Sequence, residues 1–298
     1  MVDLRRLRTL RELADRGTIA ATADALHLTS SAVSQQLAVL EREVGQSLLE
    51  PNGRTVRLTA AARAVLAHAD ALFSEVERMD ATLAALAEGA VGEVQIGAFA
   101  TAIRGIVVPA IHLLHERSPG LELVVRDLES PELFDLVALG ELDVGISMEH
   151  SGAPSRDDER FARYELTRDL LDVALPEDHA LAGGDVELRD LAPETWIAPP
   201  VGWSCDDVIR VCCSAAGFAP HITHRSGDWS AIMALVGAGL GIAVVPRLAQ
   251  DPPPPGVVIR SLRGAPAARH LFVTCRRGAE EHPAIAAVLD ALLTVARA

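Results

Sequence analysis

Five short polar residues, Thr29, Ser30, Ser31, Ser34 and Gln35, crowd the start of one amphipathic stretch, and Arg54 and Arg57 follow a Pro-Asn-Gly turn further on. Hydroxyls and an amide on the first turns of a helix suit hydrogen bonds to phosphate oxygens and to base edges in a major groove. Arginines just past a hairpin suit the sugar-phosphate backbone or a minor groove. A solvated helix face has the same composition, so the surrounding elements must decide.

Those elements read as a helix-turn-helix with a wing over residues 1–59. Ala20, Ala21, Ala23 and Leu26 mark the inner face of a short helix, with alanines small enough for close approach. His27-Leu28 makes the turn and Thr29 is the expected N-cap. Ala32, Val33, Leu37, Leu40 and Val44 then repeat at helical spacing until Gly45 stops the helix. Pro51-Asn52-Gly53 is the expected hairpin turn of the wing. Leu4, Leu7, Leu10 and Leu13 face inward on a further helix, Leu4 to Arg16.

From Ala60 to Glu88 there is no Gly or Pro. Val65, Ala69, Leu72, Val76, Met79, Leu83 and Leu86 alternate spacings of four and three, the seam of a two-helix coiled coil. Residues 60–90 are therefore a linker and dimerisation helix. Gly89 to Gly92 marks a hinge.

The run AATADALHLTSSAVSQQLAVLEREVGQSLLEPNGRTVRLTAAARAVL resembles the N-terminal domain of the LysR-type transcriptional regulators. Three positions depart from that pattern: Leu49 replaces a usual Phe, Pro51 a common Arg, and Ala62 a usual Gly. The lost Arg puts one wing contact to phosphate in doubt. The resemblance implies double-stranded DNA with an interrupted promoter dyad as partner, pairing through the linker helix and a homotetrameric working form. It also implies a ligand that changes how DNA is bent, with RNA polymerase a further candidate partner.

Residues 91–298 alternate strands and helices, which implies parallel α/β sheets. Strands are expected at Glu93–Ala98, Leu121–Arg126, Leu142–Ser147, Leu170–Leu175, Thr195–Ala198, Ile222–Arg225, Ile242–Val245 and Arg269–Cys275. Pro109 is expected to interrupt or restart the first helix, and Ser130 to cap the next. The fold class is two Rossmann-like lobes, about 91–163 with 264–298 and about 164–263, changing over around Arg163–Arg168. GELDVGIS and SGDWSAIMALVGAGLGIAVVP are similar to the effector domain of LysR-type regulators, itself like type II periplasmic solute-binding proteins.

Ligands in such sheets sit at the strands' carboxyl ends. That rule selects Phe99, Ala100, Thr101 and Ser147 from the first lobe. From the second it selects Val201, Gly202, Trp203, Ser204, Ser226 and Asp228. Thr101, Ser204 and Ser226 could equally be N-caps, and Trp203 could stack on a ligand or cover a lobe edge. Helix N-termini at the cleft favour a small carboxylate, against which Asp206, Asp207 and Asp228 stand.

Competing chemistries are poorer fits. Cys205, Cys212 and Cys213 share one helix, where the Cα atoms of Cys205 and Cys212 lie ~10 Å apart, too far for a disulfide. Buried small hydrophobes are the plainer reading, and a thiol-redox-sensing regulator the alternative. His221 and His224 point to opposite faces of a strand, which argues against a metal site. No catalytic constellation is found, so neither an enzyme nor a cofactor is expected.

The 298 residues carry a net charge of −14. Residues 1–60 hold eight arginines against seven acids, so the acidity belongs to the rest. An acidic body on a near-neutral head resists non-specific DNA binding. Four cysteines without a C-x-x-C pair and no N-terminal apolar run suggest a cytoplasmic protein, without a membrane partner. A transporter's solute-binding protein, the runner-up, has no use for such a head.

Overall fold

The computed structural model describes residues 2–52, 55–86, 90–250, 252–263 and 267–297. The chain divides into two compact units, Met1–Asp80 and Ala81–Ala298.

In the first unit, helix α1 (Leu4–Arg16) begins at Asp3, whose carboxylate accepts from the Arg5 N–H, and ends at left-handed Gly17. Helix α2 (Ile19–Ala25) is capped by Thr18. Helix α3 (Ser30–Val44) is capped by Thr29, whose Oγ1 accepts from the Ala32 N–H, and ends at Gly45. His27, with φ 52°, makes the corner between them. Leu7, Leu10, Leu13, Ala23, Val33, Leu37 and Leu40 close the core.

Two expectations fail in detail. Leu4 is 41% exposed because it starts α1, one turn before the core begins. Ala20 is exposed, and Thr22 is buried beside Ala23. Helical spacing from Ile19 carries the inner face through 22 and 23.

Strands β1 (Leu49–Asn52) and β2 (Thr55–Leu58) pair antiparallel, with Glu50 opposite Arg57 and Asn52 opposite Thr55. Pro51 and Asn52 are therefore strand rather than turn, and Gly53 and Arg54 lie outside the described residues.

Helix α4 (Ala60–Ala85) is one element with two environments. Ala62 and Ala69 are buried in the head core, with Val65, Leu66 and Phe73 packed against it. Further on, Leu72, Met79 and Leu83 are 49%, 53% and 58% exposed, and Leu86 just beyond is 80% exposed. The heptad seam thus serves the head at its start and is open to a partner afterwards. Gly92 opens a strand instead of a hinge, and Gly89 lies outside the described residues.

The second unit opens with β3 (Gly92–Ala98), α5 (Ala100–Ala102), a π-turn (Ile103–Val107) and α6 (Val108–Arg117). Pro109 restarts the run rather than ending it. It sits at the first positions of α6, and the wider π-turn before it accommodates the ring and the missing N–H. There follow β4 (Leu121–Asp127), α7 (Glu132–Leu139) and β5 (Val144–Met148). Ser130 does not cap α7: Pro131 holds that position, and Ser130 Oγ is buried without a hydrogen-bond partner among the described residues.

Strand β6 (Phe161–Pro176) runs through the expected change of lobe without a break. Then come β7 (Val186–Glu187), β8 (Thr195–Ala198), α8 (Ser204–Ala215), β9 (His221–Arg225), α9 (Trp229–Gly237) and β10 (Ala243–Pro246). Strands β11 (Val257–Arg263) and β12 (Ala268–Arg276) and helix α10 (Pro283–Arg297) complete the unit. Gly241, at φ 148°, lets the chain lie against Thr195, whose carbonyl a Cβ there would strike.

The main sheet runs β4-β3-β5-β12-β6-β11-β7, with β10 also on β6, and β8 and β9 pair separately. It is mixed, not all parallel. β3 is parallel to β4 and β5, whereas β12 and β6 are antiparallel to each other, as chain crossing out of a lobe and back must be. The expectation omitted β7 and β11; β11 pairs antiparallel with β6 and follows the proline run at residues 252–255.

Candidate nucleic-acid interface and ligand cleft

The side chains of Thr29, Ser30, Ser31, Ser34 and Gln35 lie at one end of α3, and all five are exposed. Thr29 and Ser31 hydroxyls lie 2.9 Å apart, and Ser34 Oγ donates to the Ser30 carbonyl at 2.9 Å. The oxygens keep accepting capacity, and the Gln35 amide makes no hydrogen bond among the described residues. An amide with a free donor and a free acceptor fits the N6/N7 edge of adenine.

On the wing, Arg57 donates from Nε to Glu50 Oε1 at 2.8 Å, and its Nη2 lies 2.7 Å from the same oxygen. The Arg57 side chain remains 70% exposed. Such surface pairs are worth about 0–1 kcal/mol, so phosphate can compete for the guanidinium.

In the second unit, part of the predicted cleft set converges and part does not. Arg269 and Asp169, directly opposite on β12 and β6, form a fully buried pair with Nε to Oδ2 at 3.0 Å. Arg269 Nη2 also donates to Thr101 Oγ1 at 3.1 Å, and the guanidinium lies 5.1 Å from the Phe99 ring centre. Asp169 Oδ1 accepts from the Leu248 N–H at 3.1 Å. This chain of contacts ties the loop after β3 to the segment after β10 through the crossing strands.

Beside it, Ser204 Oγ donates to Glu129 Oε2 at 3.5 Å, joining the loop after β4 to the start of α8. Burial, opposed by Arg269 and assisted by Asp127, pushes the Glu129 carboxyl up to about 7.

Thr101 and Ser204 are thus not caps: Thr101 lies inside α5 and Ser204 is the first residue of α8. Ser226 and Asp228 are spent locally. Ser226 Oγ accepts from the Asp228 N–H, and Asp228 caps α9 by accepting from the Ser230 N–H. Trp203 packs its ring over Gly227, the covering role. Ser147 is buried on β5, while Ala100, Val201 and Gly202 are exposed.

Glu129, Asp169 and Arg269 escaped the strand-end rule. Asp169 and Arg269 had a signal: charges inside the apolar strand runs TRDLLDVAL and ARHLFVTC. Such charges must be paired when buried. A separate groove of about 1040 Å³ opens along Asp207, Val208, Val211 and Cys212 of α8, facing His150 and His270; no predicted cleft residue lines it.

The cysteines carry no reactive signature. Burial pushes the Cys205 thiol up to about 11 and Cys213 up to about 12, and raises Cys212 as well. Thiols held above their ordinary range are poor nucleophiles at neutral pH. Cys205 and Cys213 should therefore resist a thiol reagent in the folded reduced protein and react on unfolding. Rapid native-state labelling of Cys205 would restore the redox alternative.

Two family models match the chain: the LysR substrate binding domain over residues 87–297, and the bacterial regulatory helix-turn-helix protein, lysR family, over residues 4–63. The transcriptional regulator ShiR of Corynebacterium glutamicum is 33% identical, over 75% of this chain and 79% of its own. The small neutral protease regulatory protein of Streptomyces coelicolor is 31% identical over 99% and 88%. Among solved structures, a full-length OxyR variant from Pseudomonas aeruginosa superposes with a TM-score of 0.66 at 23% identity, covering 100% of this chain and 97% of that one. CbnR complexed with its target DNA gives 0.61 at 22%, covering 99% and 100%.

Proposed function

Because the chain belongs to the LysR family of transcriptional regulators, we propose that α3 reads the operator through Thr29, Ser30, Ser31, Ser34 and Gln35, while Arg57 and Arg54 hold the backbone from the wing. The observation that carries this reading is the capped start of α3, where a row of hydroxyls and an unengaged amide stand on a packed core. Residues 1–59 are the reading head, 60–90 the linker that pairs two heads, and 91–298 the effector domain. Pairing matters because a near-neutral head gains little from charge alone, and two heads on one dyad multiply their affinities.

In this reading the effector settles between the lobes beside Phe99, Thr101, Ser147, Glu129 and Ser204, with Ala100 and Val201 to Trp203 at the rim. The Glu129–Ser204 contact between the two halves is what a ligand would replace. Ser226 and Asp228 shape the second-lobe wall. Regulation follows if the two lobe arrangements favour different assemblies of the paired heads, in a homotetramer that presents them to promoter DNA and to RNA polymerase. DNA as the partner places the protein in the cytoplasm. Among the described residues no helix is long and apolar enough to cross a membrane.

The test is Gln35→Ala on an operator selected from random sequence. Loss of a bidentate base contact should cost about 1–3 kcal/mol at the cognate site and relax preference at one position. Binding to random DNA should hardly change. Equal loss on both would assign Gln35 to the backbone.

A further inference from the structure

The cleft's charges bear on what it can hold. Arg269, the buried cation there among the described residues, is already committed to Asp169 through Nε and Nη2 and to Thr101 through Nη2. The first turn of α8, which would favour an anion, carries Asp206 and Asp207. Asp206 in turn is engaged by Arg210 and Arg225. Against this neutralised background stands Glu129. Its side chain is partly accessible, and its one hydrogen bond among the described residues is the long contact from Ser204. The neighbouring Ser130 hydroxyl, in a residue 8% exposed, has no partner among them. A half-buried carboxyl held by one long bond is short of donors, whereas the Ser130 hydroxyl is short of a donor and an acceptor alike.

Resting on the regulator reading above, we propose that the effector is a small molecule with a basic nitrogen, an amine or amidine, which donates to Glu129. A small carboxylate, the expectation from helix N-termini, would meet this carboxyl and an arginine whose charge is already paired with Asp169.

The groups facing Glu129 are Arg269, Asp127 and Ser204, with Asp169 and Cys205 beyond. Burial is the largest influence, and it favours the neutral acid up to about pH 7. A cationic ligand needs the ionised form, so its binding should tighten with rising pH and level off above 7. An anionic ligand would do the reverse.

The experiment titrates the full-length reduced protein with agmatine and 1,4-diaminobutane, and with succinate and butyrate, following the thermal melt at pH 6 and pH 8. The bases should raise the melt and act at about tenfold lower concentration at pH 8 than at pH 6, as a carboxyl titrating near 7 requires. The effect should vanish in Glu129→Gln, which keeps the shape. Stabilisation by the carboxylates, stronger at pH 6 and surviving in Glu129→Gln, would overturn the proposal. So would silence from both bases.

A ligand-free arm checks the carboxyl itself. Its raised pKa supplies stability that is fully present below about 4.5 and lost as the pH climbs through about 7. Wild type should therefore lose ground against Glu129→Gln across that window. Parallel profiles would show that Glu129 is not short of donors. Retardation of promoter DNA by the same preparation is scored separately, so a wrong ligand class and a wrong regulator reading give different results.

Discussion

Asp169→Ala should be the most damaging single change in the second unit. It leaves the Arg269 guanidinium, 1% exposed, without its carboxylate, and it also removes the acceptor of the Leu248 N–H. Breaking a buried pair from one side costs about 3–5 kcal/mol, because the remaining charge keeps its desolvation penalty. For a unit of this size each kcal/mol moves the midpoint by about 2–4 °C, so a drop of roughly 10 °C is expected in a thermal melt. Replacing both members, Asp169→Leu with Arg269→Met, should recover most of that loss, since no charge is then stranded. The double variant should still lose its link to Thr101, and with it the tie between the loop after β3 and the crossing strands. A single variant melting like wild type would mean that the pair contributes no net stability, and would remove it as the lock between the lobes.

Leu83→Glu should leave the fold intact and abolish tight operator binding. Leu83 is 58% exposed and shares its stripe with Leu72 and Met79, so the change adds charge to an open face rather than to a core. Two heads joined on one dyad bind about 10²–10⁴-fold more tightly than one head alone. That gain should disappear in a mobility-shift titration, while sedimentation shows a smaller species. Val65→Ala makes the contrast. It touches the head core and should lower head stability with the assembly unchanged. An assembly and affinity untouched by Leu83→Glu would place the subunit contact elsewhere.

The legible part of this protein is local. The helix cap at Thr29, the stop at Gly45 and the 3.6-residue rhythm of α3 and α4 depend on neighbours within four or five positions. Those rules place the recognition helix and its polar row without tertiary information. The misassigned positions are where distant partners decide. Ala20 and Leu4 have the right composition for burial, but the docking angle and helix start turn them outward. Val65 and Leu83 share one heptad seam, yet one packs on its own head and the other is open.

The same division governs the cleft. The polar row on α3, the heptad stripe and most of the order of strands and helices can be read from the letters, because periodicity and capping along the chain fix each of them. Which charged groups meet is a matter for the folded chain. Asp169 and Arg269 are about a hundred residues apart and become partners only because β6 and β12 lie antiparallel. Glu129 gains its character the same way, from burial that outweighs the nearby Arg269 charge. Desolvation and pairing belong to the assembled space rather than to any stretch of letters.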